Sequence, residues 1–168
     1  MSTKKEQDEA TAVAQAAAAG ADSGDRVRPI KLGHVNIYLI KTEGGYILVD
    51  AGMPNAEAQL DSALEEAAVE PGSVQLIVAT HGHLDHVGSM AHARQVTGGQ
   101  VLCHRSFAAD LANGRPEEAI PQNLVGRLLN LMTGLMGSSF EGMQPDILVD
   151  DEFDLSEYGI AGKIIHTP

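Results

Sequence analysis

The chain has 168 residues, 43% of them hydrophobic, which fits one globular domain. Asp and Glu number 23 against 11 Lys and Arg, so the negative surface would repel phosphate backbones, and nucleic acid is not expected as a partner. The single cysteine, Cys103, excludes an internal disulfide and suits a reducing cytosol.

The first 27 residues are dominated by Ala, Gly and charged side chains, with almost nothing to bury. Such a segment cannot offset the entropy lost on ordering, so residues 1–27 are predicted to form a flexible, acidic leader. No secretory signal is recognised there, and no later stretch is long enough to span a bilayer of roughly 30 Å. We therefore expect a cytoplasmic protein with no membrane span, whose folded domain covers residues 28–168.

The domain is predicted to open with a β-hairpin. Apolar and β-branched residues at 35–40 and 46–49 favour two strands, and Glu43-Gly44-Gly45 between them is typical of a turn. The second strand ends at Asp50.

A helix and a buried strand follow the hairpin. Asn55 is a candidate N-cap for a helix with apolar residues at helical spacing, and Pro71-Gly72 would end it. The continuous apolar run at 74–79 is typical of a strand covered on both faces. This strand, helix, strand order indicates a layered α/β sheet.

The remaining pattern alternates helices and strands. Helices are predicted at 87–96 and 107–113, and strands at 100–104, 147–149 and 160–166. The segment 124–136 carries leucines on one helical face, which favours packing against the core or, alternatively, a lid over a hydrophobic pocket.

A histidine-rich loop follows the buried strand. His81, His83, Asp85 and His86 lie within six residues, at the carboxyl end of a strand, where open α/β sheets place ligands. Imidazole and carboxylate suit zinc, iron or manganese. Solvated histidines on a polar loop are the alternative, but the density of ligand types in this strand-to-helix context favours a metal site.

The arrangement His-Xaa-His-Xaa-Asp-His after an apolar strand resembles the signature of the metallo-β-lactamase superfamily. Residues 36–40 and 47–52 resemble its opening hairpin, and residues 145–147 and 164–168 resemble the strands before its next ligand. The resemblance covers about residues 30–168. It implies an α/β fold, the αββα sandwich of that superfamily, with only the N-terminal half to two-thirds present.

The same resemblance implies a dinuclear site. His81 and His83 would hold a first metal ion, Asp85 and His86 a second, and Asp50 would orient one of these ligands. Two zinc ions are expected, with iron or manganese as alternatives. Asp85 is the candidate catalytic residue, because it could steer the proton of a metal-bound hydroxide as well as ligate.

The implied activity is hydrolysis of a small ester, thioester, lactone or amide, with an iron-dependent sulfur dioxygenase as an alternative. The sequence stops at Pro168, where the family pattern continues with Gly-His and further ligands, so we expect the domain to be incomplete at its C-terminus. A third alternative is a non-catalytic metal-binding fragment, whose uncovered sheet would favour a homodimer.

Other candidate ligands are given structural roles. Cys103 and His104 are adjacent on a predicted strand and face opposite ways, so they cannot both bind one ion without a distortion, and Cys103 is interpreted as a buried thiol. The role of His104 stays open, because its strand lies beside the histidine loop in the expected fold. His34 and His92 lack ligand spacing and are interpreted as surface or packing residues. His166 is interpreted as structural, with a makeshift third ligand as the alternative.

Overall fold

The computed structural model describes residues 26–117 and 139–167. Its main sheet has six strands in the order β1-β2-β3-β4-β5-β6. These strands are β1 (Val27–Leu32), β2 (Val35–Lys41), β3 (Tyr46–Val49), β4 (Val74–Val78), β5 (Gln100–His104) and β6 (Ile147–Val149). A separate two-stranded sheet pairs β7 (Glu152–Asp154) with β8 (Lys163–Ile165).

The helices lie between these strands. They are α1 (Glu57–Glu66), α2 (Leu84–Val87), α3 (Met90–Thr97) and α4 (Ala108–Ala112), with short 3-10 helices at Arg105–Phe107 and Ser156–Tyr158. None of the helices in the described part of the chain has the length and apolar character that crossing a bilayer requires.

The direction of the strands determines where a site can form. β1, β2 and β3 pair antiparallel, whereas β3, β4, β5 and β6 pair parallel. Parallel neighbours need crossover connections, which α1 and α3 provide. The carboxyl ends of four consecutive strands therefore meet at one edge of the sheet, where ligands of α/β proteins bind.

The two faces of the main sheet are covered differently. On one face, residues such as Leu48 and Ile77 pack with side chains of α1, α3 and α4. On the other, Ile47 and Val78 pack with Leu155 and with side chains of the β7–β8 sheet. The central strands are buried on both faces, which explains their continuous apolar sequence. The predicted α/β class and superfamily sandwich are confirmed over the described residues.

Two strands of the structure were not predicted. β1 begins at Val27, the last residue of the predicted leader, and β7 also lacks a clear sequence signal. Pro29 lies within β1, and β1 is at the edge of the described sheet, where the missing N–H of a proline is tolerated. Residues 1–25 and the segment 124–136 lie outside the described residues.

The helices also differ in detail from the prediction. Asn55 is not the N-cap of α1: its φ is 65°, its backbone N donates to Glu57 Oε1, and Ala56 occupies the cap position. The helix predicted at 87–96 is divided into α2 and α3. Between them, a Cβ on Gly88 would lie 2.2 Å from Pro54 Cδ, so only glycine allows this close approach.

Candidate metal centre

The site is built where β3 and β4 end. Val49 is paired with Val78, so Asp50 and the loop after β4 emerge side by side. The backbone N of Asp50 donates to Val78 O at 2.8 Å. Asp50 has φ 63°, a left-handed conformation that aspartate tolerates better than most residues, and its exposed fraction is 3%. A carboxylate is therefore held beneath the start of the histidine loop.

Asp50 anchors both ends of this loop. Its Oδ1 accepts a hydrogen bond from the backbone N of Thr80 at 2.9 Å, and its Oδ1 and Oδ2 lie 3.0 and 2.9 Å from Thr80 Oγ1. Its Oδ2 lies 2.7 Å from His86 Nδ1. The backbone N of Ala51 also donates to His86 O at 2.8 Å. These contacts place the Asp50 carboxylate directly against His86, and the orienting role of Asp50 stays a prediction.

Glu117 holds the middle of the loop. Its backbone N donates to Gly82 O at 2.8 Å, and its Oε2 accepts from Gly82 N at 3.2 Å. A Cβ on Gly82 would lie 3.0 Å from Glu117 Cβ, so the absence of a side chain permits this contact. The peptide between His81 and His83 is therefore fixed from outside the loop.

The structure brings His81 and His83 together. His81 Nε2 lies 3.1 Å from His83 Nδ1, and the two rings meet edge to face with centroids 4.6 Å apart. Two nitrogens bound tetrahedrally to zinc at their usual bond lengths lie about 3.3 Å apart. The separation of these nitrogens therefore suits two ligands of one ion, as well as a direct hydrogen bond between the rings.

Asp85 and His86 form a second, neighbouring pair. His86 Nε2 lies 3.8 Å from Asp85 Oδ2, and the contact of Nδ1 with Asp50 sets this orientation of the ring. The ring centroids of His81 and His86 are 4.1 Å apart, so the two pairs are adjacent. Imidazole with carboxylate is a donor set that zinc, iron and manganese accept.

The four residues do not form a closed site by themselves. Over residues 26–117 and 139–167, no group of three or more His, Cys, Asp or Glu side chains is arranged to hold one ion. A structural zinc site takes four protein ligands and a catalytic one usually three. The donor types and the distances within each pair fit a metal ion. Each pair supplies only two ligands, so each ion would need additional ligands.

Burial favours the metal-binding form of His81. Burial lowers the pKa of His81 below its usual value of 6.5, and the charge of His86 acts in the same direction. Asp50 and Asp85 oppose this shift. A neutral imidazole at neutral pH keeps a nitrogen lone pair for a metal ion.

The remaining candidate residues have structural surroundings. Cys103 is fully buried, and burial raises the pKa of its thiol to about 11. His104 stacks on His166 with centroids 3.7 Å apart, and His92 Nε2 lies 2.8 Å from Asp61 Oδ1. None of these contacts involves the histidine loop. The structural interpretation of Cys103 and of His92 is consistent with these positions.

Sequence reasoning missed two residues that hold the loop. Thr80 directly precedes His81, so its place next to the ligands was a usable signal. Glu117 is 35 residues from Gly82, and no spacing in the sequence connects the two. Only the path of the chain after α4 brings Glu117 to the loop.

Comparisons with known proteins find relatives that match part of this chain. The family profile described as "Metallo-beta-lactamase superfamily" matches residues 30–168. The human "Metallo-beta-lactamase domain-containing protein 1" is 36% identical over 107 residues, which are 58% of this chain and 38% of that protein. A "Hydroxyacylglutathione hydrolase" of Anaeromyxobacter dehalogenans (strain 2CP-C) is 40% identical over 89 residues, 49% of this chain and 32% of that protein. The matches thus span about a third of these relatives.

Solved structures show the same fold. BJP-1, a subclass B3 metallo-beta-lactamase of Bradyrhizobium japonicum, superposes with a TM-score of 0.60 at 24% identity. The superposition covers 76% of this chain and 43% of that one. At this identity the likeness concerns the fold alone.

Proposed function

Because the chain belongs to the metallo-beta-lactamase superfamily, we propose that it supplies metal ligands to a hydrolase that uses two zinc ions. His81 and His83 hold the first ion, and Asp85 and His86 hold the second. This proposal rests on two adjacent pairs of donor atoms. His81 Nε2 and His83 Nδ1 are 3.1 Å apart in the first pair, and His86 Nε2 and Asp85 Oδ2 are 3.8 Å apart in the second.

The chemistry of such a site follows from the metal and from the residues around it. Bound zinc lowers the pKa of a coordinated water to about 7 and polarises the substrate oxygen. Asp50 holds the His86 ring in place through Nδ1. Glu117 and Asp50 together restrict the loop, so that its donors are positioned before the ion arrives. Asp85, with a partly exposed side chain, can also accept a proton from the attacking water.

The substrate that we propose is a small molecule with an ester or thioester bond; lactones and amides remain within the same chemistry. The net charge of -12 argues against a polyanionic substrate such as nucleic acid. The relative named hydroxyacylglutathione hydrolase supports the thioester.

The test begins with metal content. The full-length protein, reconstituted with zinc, is expected to bind two ions and to hydrolyse members of a panel of thioesters, esters and lactones. Failure of the wild-type protein to take up zinc, iron or manganese would contradict the proposal. Metal uptake without turnover on any substrate would instead support the non-catalytic alternative, and oxygen-dependent turnover with iron would support the dioxygenase.

Asp85→Ala tests the assignment of the second pair. The variant is expected to lose turnover and to bind one zinc ion in place of two, because His86 alone retains the ion poorly. Asp110→Ala, which removes an exposed carboxylate from α4, is the matched control and should leave both measurements unchanged. Activity of Asp85→Ala near the wild-type level would refute the role of this residue.

A further inference from the structure

The side chain of Thr80 lies between Asp50 and His81. Its Oγ1 is 3.0 and 2.9 Å from the two carboxylate oxygens of Asp50, and 2.9 Å from His81 Nδ1. Its backbone N also donates to Asp50 Oδ1 at 2.9 Å. Both the backbone and the hydroxyl of one residue are therefore held by the same carboxylate.

Counting protons decides the direction of these hydrogen bonds. A threonine hydroxyl has one hydrogen to donate and two lone pairs, whereas an ionised carboxylate only accepts. The Thr80 hydrogen must therefore point to Asp50, because otherwise oxygen lone pairs would face each other at 2.9 Å. The hydroxyl is then an acceptor toward His81, so His81 Nδ1 carries the hydrogen.

We propose that Thr80 is a positioning residue that fixes His81 as the Nδ1–H tautomer and directs the Nε2 lone pair to the metal. The inference rests on the proposed metal site and identifies the ligand atom of His81. It agrees with the position of His81 Nε2, which lies 3.1 Å from His83 Nδ1, the other proposed donor to the first ion.

The hydrogen bonds from His81 through Thr80 to Asp50, called the relay below, also give Asp50 a second role. Its carboxylate contacts His86 Nδ1 directly at 2.7 Å and reaches His81 Nδ1 through the Thr80 hydroxyl. One buried group thus orients an imidazole in each donor pair. Loss of the Thr80 hydroxyl should then affect the first ion and leave the contact with His86 in place.

The direct test is the tautomer of His81 in the metal-free, full-length protein. Long-range proton–nitrogen NMR spectra distinguish a protonated Nδ1 from a protonated Nε2, with His81→Gln used to assign the signals. We expect the hydrogen on Nδ1 in the wild-type protein and in Thr80→Ser, which keeps the hydroxyl. A hydrogen on Nε2 of wild-type His81 would overturn the inference, even if the protein binds zinc.

Zinc affinity provides the second readout, measured by competition with a chelator. Thr80→Val keeps the shape and the backbone contact but loses the hydroxyl, and its affinity for the first ion should fall about 10- to 100-fold, as for other groups that orient metal-bound histidines. Thr80→Ser should bind zinc much like the wild type.

Thr42→Val is the matched control, since Thr42 Oγ1 donates a hydrogen bond to Gln75 Oε1 away from the histidine loop. Unchanged zinc affinity in folded Thr80→Val would contradict the relay. If this variant does not fold, the tautomer of the wild-type protein still decides the question. No zinc binding by wild type would defeat the proposed function instead, and the tautomer result would stand separately.

Discussion

Two regions at the same edge of the main sheet contain the same kinds of residue but are built differently. At the ends of β3 and β4, Asp50 meets Thr80 and His86; at the ends of β5 and β6, Asp150 meets His104 and Arg105. The side chain of Asp50 is 4% exposed, whereas the side chain of Asp150 is 61% exposed. The two regions therefore differ more in the burial of their aspartate than in the types of residue that they contain.

The partners differ as well. The Asp50 carboxylate accepts from a backbone N–H and contacts a hydroxyl and an imidazole, all in fixed positions. The Asp150 carboxylate pairs with the guanidinium of Arg105, while His104 Nε2 contacts the backbone oxygen of Asp150. An exposed ion pair contributes little to stability, but a buried carboxylate with several donors holds them in a single arrangement. The comparison predicts that only the first region controls metal binding.

Asp50→Asn should produce the largest effect. Asparagine tolerates the left-handed backbone of this position, but its amide nitrogen cannot accept from Thr80 or His86. The amide oxygen can replace only one of the two carboxylate oxygens, so a buried donor would face another donor, and we expect the free energy of unfolding to fall by about 3 kcal/mol. Zinc affinity should fall about 10- to 100-fold. Urea unfolding and chelator competition measure the two effects.

Asp150→Asn is the matched control for this comparison. It changes the same atoms at the neighbouring strand ends, and it should leave zinc affinity unchanged. Equal losses of zinc affinity in the two variants would mean that the distinction between the buried and the exposed region is wrong.

Cys103, a buried residue of β5 next to the second region, offers a pH-dependent test of the effect of burial. Burial raises the pKa of this thiol from 9.0 to about 11, so the unfolded chain releases the proton first as pH rises. Stability should then fall by about 1 kcal/mol per pH unit between pH 9 and 11, and this contribution is fully present below pH 9. Cys103→Ala should lack this part of the alkaline slope when unfolding is measured at several pH values. An identical slope in both proteins would show that the thiol is not the cause.

The regular parts of this fold were readable from the sequence because their patterns are local. The runs that became β3 and β5 have the predicted bounds, and the histidine loop follows β4 as expected. No strand was predicted at β1, where Pro29 is compatible with a strand only at a sheet edge, and edge position depends on the whole sheet. Local patterns do not contain that information.

The candidate site was predictable to a similar extent. The four candidate ligands were predicted because their residue types and spacing indicate metal chemistry, and Asp50 was predicted because it resembles an acidic residue of the superfamily. The contact of the Thr80 hydroxyl with Asp50 and the two contacts between Glu117 and Gly82 could not be inferred, because they join residues that are 30 and 35 positions apart and that only tertiary structure brings together.

His166→Ala should have the smallest effect on stability. It tests whether a residue of the second region binds the metal ion. His166 stacks on His104 with centroids 3.7 Å apart, and its backbone N donates to Asp151 O at 2.8 Å. Removing an exposed ring from this stack should lower the free energy of unfolding by about 1 kcal/mol or less, and zinc affinity should not change. His34→Ala, which removes another exposed imidazole, controls for nonspecific zinc binding. A tenfold loss of zinc affinity confined to His166→Ala would instead make this histidine a ligand, and the two regions would then be parts of one site.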